Sequence, residues 1–282
     1  MRNVITVMNA KGGVGKSTLV LALAETLAAH HGRRVLVIDA DAQASISHML
    51  VPQEQLEAVR LRERTIVELL IDVVLKEGSA RWQDFIVSGV SDVDDARSID
   101  LLPSDTHLTL FEREVSKGDR EGRLRKTVRA WLAEARRAYD LVLIDSAPGL
   151  SVLTECWLRE ADFYISPTRP DHISTRGLSF LREFRERDAH MGFAELLGVV
   201  VNMKDPLSPE DEQYDRWLRQ DPDNHCFRQA LVRAGPLQAA GRFSLRPRSY
   251  WAKYPGQTGD YLRQLSVEVL ERVAAAQAAV RA

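Results

Sequence analysis

The ten residues Asn9-Ala10-Lys11-Gly12-Gly13-Val14-Gly15-Lys16-Ser17-Thr18 constrain the fold of this chain more than any other stretch. They follow a β-branched apolar run, Val4–Met8, and open a helix-period run that begins at Ser17. Strand, glycine-rich turn and helix in that order make a phosphate-binding loop. Glycine lets the backbone aim its N–H groups at a phosphate, and the helix N-terminus adds positive potential there. In such a loop Lys16 reaches the β- and γ-phosphates and the Ser17 hydroxyl binds Mg²⁺. Gly12, Gly13, Val14, Gly15 and Thr18 are the accompanying nucleotide contacts. Ala10 stands where the strict pattern G-x-x-x-x-G-K-[ST] has its first glycine. One lysine suffices to bind phosphate in cis, so Lys11 at the far end of the loop needs another account. Either it is simply solvated, or it reaches the nucleotide of a second subunit, as an arginine finger is supplied in trans.

The rest of the chain continues the same alternation. Val4–Met8, Arg34–Ile38, Ile99–Leu102, Leu141–Ile144, Phe163–Ser166 and Leu197–Val201 read as near-continuously apolar strands. Such strands belong to a parallel sheet covered on both faces. Ser17–His30, Thr65–Leu75, Arg120–Arg137, Ser151–Arg159, Ser174–Asp188 and Pro209–Arg219 read as the helices between them. The expected fold is α/β, a doubly wound, mostly parallel sheet with helices on both faces. One domain is expected over residues 1–282. Residues 51–98 form an irregular, partly helical insertion, and residues 274–282 a frayed, alanine-rich tail.

Ligands of doubly wound sheets sit at the carboxyl ends of the strands. Asp39 and Asp41 end one strand and Asp145 ends another, so all three carboxylates are expected at the nucleotide. A strand-end aspartate can also cap the next helix, which is the structural alternative for each.

With these residues in hand, the chain resembles the ParA/MinD ATPases and their deviant Walker A motif K-G-G-x-G-K-[ST]. The likeness covers nearly the whole chain and is closest to ParA-like proteins that lack a helix-turn-helix domain ahead of the first strand. Arg34 to Gln43 is similar to the family's D-x-D-P-Q segment, with Ala42 in place of proline. Tyr139 to Gly149 is similar to its Walker B strand and switch II, with Ala147 in place of the first proline. Pro167-Thr-Arg-Pro170 and Arg176-Gly177-Leu178 resemble the segment after the next strand. Val199-Val-Val-Asn202 resembles the strand end whose asparagine reads adenine. The resemblance implies ATP and Mg²⁺ as cofactors, with Asp145 and Asp39 supporting the metal mostly through water. It assigns catalysis to Lys11, Lys16 and Asp41, the last orienting the attacking water. It implies a homodimer in the ATP state and nonspecific DNA binding by that dimer. A ParB-like or other adaptor is expected to stimulate slow hydrolysis, in the cytoplasm on the nucleoid, so that a plasmid, chromosome or protein assembly is partitioned or positioned. A MinD-like membrane-associated positioning ATPase, or a metabolic or metal-trafficking P-loop enzyme, is the alternative.

Charge bears on the DNA expectation. The chain's net charge of −2 speaks against a DNA coat, but the charge is uneven. Residues 225–259 contain six basic residues and no acid, so the remainder carries −8. Arg228, Arg233, Arg242, Arg246, Arg248 and Lys253, interleaved with Phe227, Phe243, Tyr250 and Trp251, are the candidate phosphate contacts. The two cysteines, Cys156 and Cys226, lack the company of a ligand motif and are expected to be inert rather than to bridge an Fe–S cluster. The sequence has no apolar run near the ~18 residues of a membrane helix. The C-terminal stretch is too poor in bulky apolar residues for a membrane-binding amphipathic helix, so no membrane partner is expected.

Overall fold

The computed structural model describes residues 2–118 and 120–281. Among them, six strands form one parallel sheet in the order β3-β2-β4-β1-β5-β6. The strands are β1 Val4–Val7, β2 Val35–Ala40, β3 Ile99–Leu102, β4 Leu141–Ser146, β5 Phe163–Thr168 and β6 Glu195–Val201. All six fall where the apolar runs predict them. Their residues alternate between two cores, as a period of two requires. Ile5, Val35, Val37, Leu141 and Leu143 face one core, whereas Val4, Leu36, Ile38, Val142 and Ile144 face the other.

The first core is covered by α1 (Lys16–His31), α10 (Gly235–Ala240), α11 (Tyr250–Lys253) and α12 (Gln257–Arg281). α1 is buried almost all round, from Leu19 to Ala28. That is how an apolar helix between a sheet and other helices must sit. The second core is covered by α4 (Ile66–Leu70, continued by a π-turn at Ile71–Leu75), α5 (Leu108–Ser116), α6 (Glu121–Ala138) and α7 (Val152–Glu160). Two short helices, α2 (Ser45–Leu50) and α3 (Gln53–Leu61), follow β2. Helices α8 (His172–Arg187) and α9 (Pro209–Gln220) follow β5 and β6. The stretch 274–282 differs from expectation: α12 continues through it to Arg281, and only Ala282 lies outside the described residues.

Because β1 is central and the strands are parallel, the carboxyl ends of β1, β2, β4, β5 and β6 share one edge of the sheet. Every loop that carries a predicted site residue leaves from that edge, apart from the basic window.

Candidate nucleotide site

The loop between β1 and α1 is held from both sides. Asn9, fully buried, donates to the Pro167 carbonyl at 3.0 Å and accepts from the Lys11 N–H at 2.9 Å. It thereby ties the loop to β5. Gly13 and Gly15 adopt positive φ, 76° and 86°, where a side chain is strained. A Cβ on Gly15 would also meet the Asn202 amide at 2.5 Å. Gly15 caps α1 without a side-chain acceptor, so the N–H groups of its first turn point out of the helix toward the loop. Gly177 of α8 performs a similar service, since a Cβ there would meet Asn9 Oδ1 at 2.7 Å. Asn9 and Gly177 are parts of the site to which the sequence assigned no role.

The two lysines behave differently. Lys16 is buried, and its ammonium lies 3.4 Å from the Lys11 carbonyl oxygen. Burial lowers its pKa, against the raising influence of Asp145 and Asp41. Lys11 runs instead to the start of α8, where its ammonium lies 3.3 Å from Ser174 Oγ and 3.7 Å from Asp171 Oδ1. Its side chain leaves the loop toward α8.

The carboxylates meet at the sheet edge. Asp39 and Asp145 are register partners on β2 and β4, both fully buried. Asp39 accepts from Ser47 Oγ at 2.6 Å, the Ser47 N–H at 3.0 Å and the Asp41 N–H at 3.2 Å. It therefore also organises the turn into α2, the helix-capping alternative. Burial pushes its pKa up to about 7 against those hydrogen bonds. Among the described residues, neither oxygen of Asp145 has a hydrogen-bond partner. Burial and the neighbouring Asp39 raise its pKa well above the usual carboxylate range, with Ser17 and Lys16 opposing. A buried carboxylate without partners, beside a hydroxyl and another carboxylate, is a set of hard oxygen donors that fits Mg²⁺. Asp41 is half-buried, with Oδ1 accepting from the Gln43 N–H at 2.9 Å. Near it, half-buried Glu112 of α5 accepts from the Ser151 hydroxyl at the N-cap of α7.

Asn202 follows β6 and turns its amide into the loop, donating to the Val14 carbonyl at 2.8 Å. Its Oδ1 accepts from the Met203 N–H at 3.0 Å. Beside it a mostly apolar pocket is lined by Thr18, Leu19, Met203, Leu231 and Leu237, with Arg233 at its edge. The pocket lies against the first turn of α1.

The basic window divides. Arg233, Arg242 and Arg246 are exposed, and none forms an ion pair among the described residues. Arg228 is exposed but pairs with Glu268 and Glu271. Arg248 is partly buried and pairs with Asp92 at 2.8 Å. Lys253 corrects the sequence reading. Its side chain is 0% exposed, bonded to Glu25 at 2.8 Å and Asp92 at 2.7 Å, so it cannot meet a DNA phosphate. The cysteines are poor nucleophiles. Cys156 is buried with its thiol pKa raised, and burial pushes Cys226 up to about 11.

Residues 2–190 match the AAA domain family. The chromosome partitioning protein ParA of Caulobacter vibrioides is 31% identical over 272 residues, 95% of this chain and 94% of that protein. The chain spans only 58% of the length of two uncharacterized Mycobacterium tuberculosis proteins that it matches at 32% identity. Among solved structures, pNOB8 ParA bound to nonspecific DNA aligns with a TM-score of 0.69 at 22% identity, covering 98% of this chain and 99% of that one. A cobyrinic acid a,c-diamide synthase from Mycobacterium smegmatis, with bound ATP analog and magnesium, aligns with a TM-score of 0.70 at 23% identity, covering 96% and 95%. The fold is thus common to partition proteins and to a biosynthetic enzyme, and it is sequence kinship that separates them. By that kinship, and by a loop that carries Lys11 as well as Lys16, the chain belongs to the ParA family of P-loop ATPases.

Proposed function

We propose that this chain is an ATP-dependent switch that partitions or positions a cargo. Lys16, Ser17 and the N–H groups around Gly12 to Thr18 would bind the triphosphate. Mg²⁺, bound near Ser17 and Asp145 with Asp39 behind them, would neutralise charge on the β- and γ-phosphates. Asp41, at the mouth of the site and hydrogen-bonded to the turn after it, would align the attacking water. The apolar pocket beside Asn202 would take the adenine, with the asparagine's second N–H left to offer the base.

The observation that carries the reading is the direction of Lys11. A side chain that leaves its own loop is of little use to the nucleotide in cis, and two such loops brought face to face would exchange their lysines. The ATP-bound dimer would then bind nonspecific DNA through Arg233, Arg242 and Arg246, and a partner protein would stimulate slow hydrolysis to release it. Kinship with the chromosome partitioning protein of Caulobacter vibrioides supports this over the biosynthetic alternative. Such a protein would act on the nucleoid, in the cytoplasm. Among the described residues no helix is long and apolar enough to cross a membrane.

The test is DNA retention as a function of nucleotide. Binding that requires ATP and falls steeply with salt supports the switch. ATP turnover that requires a small-molecule acceptor and ignores DNA would replace it with the biosynthetic reading.

A further inference from the structure

Asp92 lies in the insertion, far in sequence from the basic window, yet it gathers that window around itself. Its carboxylate is fully buried. Oδ1 accepts from Lys253 at 2.7 Å, and Oδ2 accepts from Arg248 at 2.8 Å and from the Ser244 N–H at 2.8 Å. Its backbone carbonyl takes the Arg248 N–H at 2.9 Å, and the Asp94 N–H returns to the Arg248 carbonyl at 3.0 Å. The segment from Gly241 to Ser249 is therefore a loop closed on one carboxylate. Ser244 Oγ adds a bond to the Arg246 carbonyl within it. Behind Asp92, Lys253 bonds to Glu25, which also accepts from Ser91 Oγ at 2.7 Å and Tyr254 OH at 2.7 Å. Glu25 belongs to α1, the helix that begins at the phosphate loop. The loop's outward residues include Arg242, Leu245 and Arg246, with Leu245 83% exposed.

An irregular loop without such a centre would have to be ordered when it binds, at a cost in side-chain and backbone freedom. Here that ordering is already done. We propose that Asp92 is a positioning residue for DNA binding: it holds the Gly241–Ser249 loop in one shape, so that Arg242 and Arg246 meet the phosphate backbone as a preformed pair. Asp92 itself is buried and does not touch DNA. This rests on the reading that the chain binds DNA through those arginines.

Positioning and direct contact differ in their salt signature. The slope of log K against log salt counts the phosphates neutralised. Asp92→Asn keeps every arginine but turns amide hydrogens toward Lys253 or toward the Ser244 N–H and Arg248. With Mg²⁺ and a slowly hydrolysed ATP analogue, it is expected to bind duplex DNA about 10-fold more weakly with the slope retained, fluorescent-ATP affinity being unchanged. Trypsin is expected to cut after Arg242 several-fold faster than in the parent protein. Should Asp92→Asn not fold, Ser244→Ala, which removes only the loop's internal hydroxyl bond, decides the matter: faster cleavage after Arg242 with weaker DNA binding at the same slope supports the proposal. Parent-like DNA affinity in a folded Asp92→Asn protein, parent-like behaviour of Ser244→Ala when Asp92→Asn is unfolded, or a reduced slope in the variant that decides, overturns it. If the parent protein itself binds no DNA, the DNA reading fails, and this proposal fails with it even if the trypsin comparison shows a tethered loop.

Discussion

Asp39 and Asp145 stand side by side on β2 and β4, but only Asp39 spends its oxygens on the protein. Among the described residues Asp145 is left buried without a hydrogen-bond partner, beside a second carboxylate. That arrangement costs stability, and a bound cation relieves it. Removing the charge reverses both effects. Asp145→Asn is expected to unfold at a temperature a few degrees higher than the parent in the absence of nucleotide, a gain of about 1–3 kcal/mol. The same variant is expected to lose the Mg²⁺ dependence of ATP affinity. Calorimetric melting and nucleotide titration with and without Mg²⁺ check the two halves; a lower melting temperature contradicts the first.

Asp41→Ala is expected to bind ATP as the parent does and to hydrolyse it about 100-fold more slowly, the scale of a lost water-positioning group. A phosphate-release assay at saturating ATP measures this. Parent-like turnover would remove Asp41 from the mechanism.

Reversing Arg233, Arg242 and Arg246 to Glu is expected to abolish salt-sensitive DNA binding and to flatten its slope. Lys253→Met is expected to act quite differently, lowering stability by about 3–5 kcal/mol, because Glu25 and Asp92 lose their shared buried cation. Chemical denaturation of the second variant and filter binding of the first separate the two roles.

Cys226 is expected to be a slow thiol. With its pKa pushed up to about 11 from 9.0, less thiolate is present at any pH below that value. Its rate with iodoacetamide in the folded protein should therefore keep climbing about tenfold per pH unit from 8 to 10, where an ordinary thiol levels off near 9. A plateau near pH 9 in the folded protein would contradict the burial argument.

These outcomes mirror what the sequence could express. The six strands were legible because most of their residues are buried on both faces and so read as near-continuous apolar runs. The phosphate loop was legible because its glycines and lysines are adjacent in the chain. The basic window was only half legible. A run of cations free of acids looks like a binding face, yet Lys253 takes its partners from Glu25 and Asp92, 228 and 161 positions away. Nothing near Lys253 in the sequence announces them. The same distance hid Asn9 and Gly177, whose roles exist only because β5 and α8 pack beside the loop. Asn202 was placed at the site by its strand end, but its bond to the Val14 carbonyl joins residues 188 positions apart that only the sheet order brings together.

If Lys11 joins two subunits, the mass of the protein in solution depends on it. Light scattering on the Asp41→Ala protein with Mg²⁺-ATP should report two chains, and one chain without nucleotide. Adding Lys11→Ala to that variant should leave one chain in both conditions, with ATP still bound. A double variant that dimerises with ATP as readily as Asp41→Ala alone would contradict the account, because Lys11 would then have no part in joining the subunits.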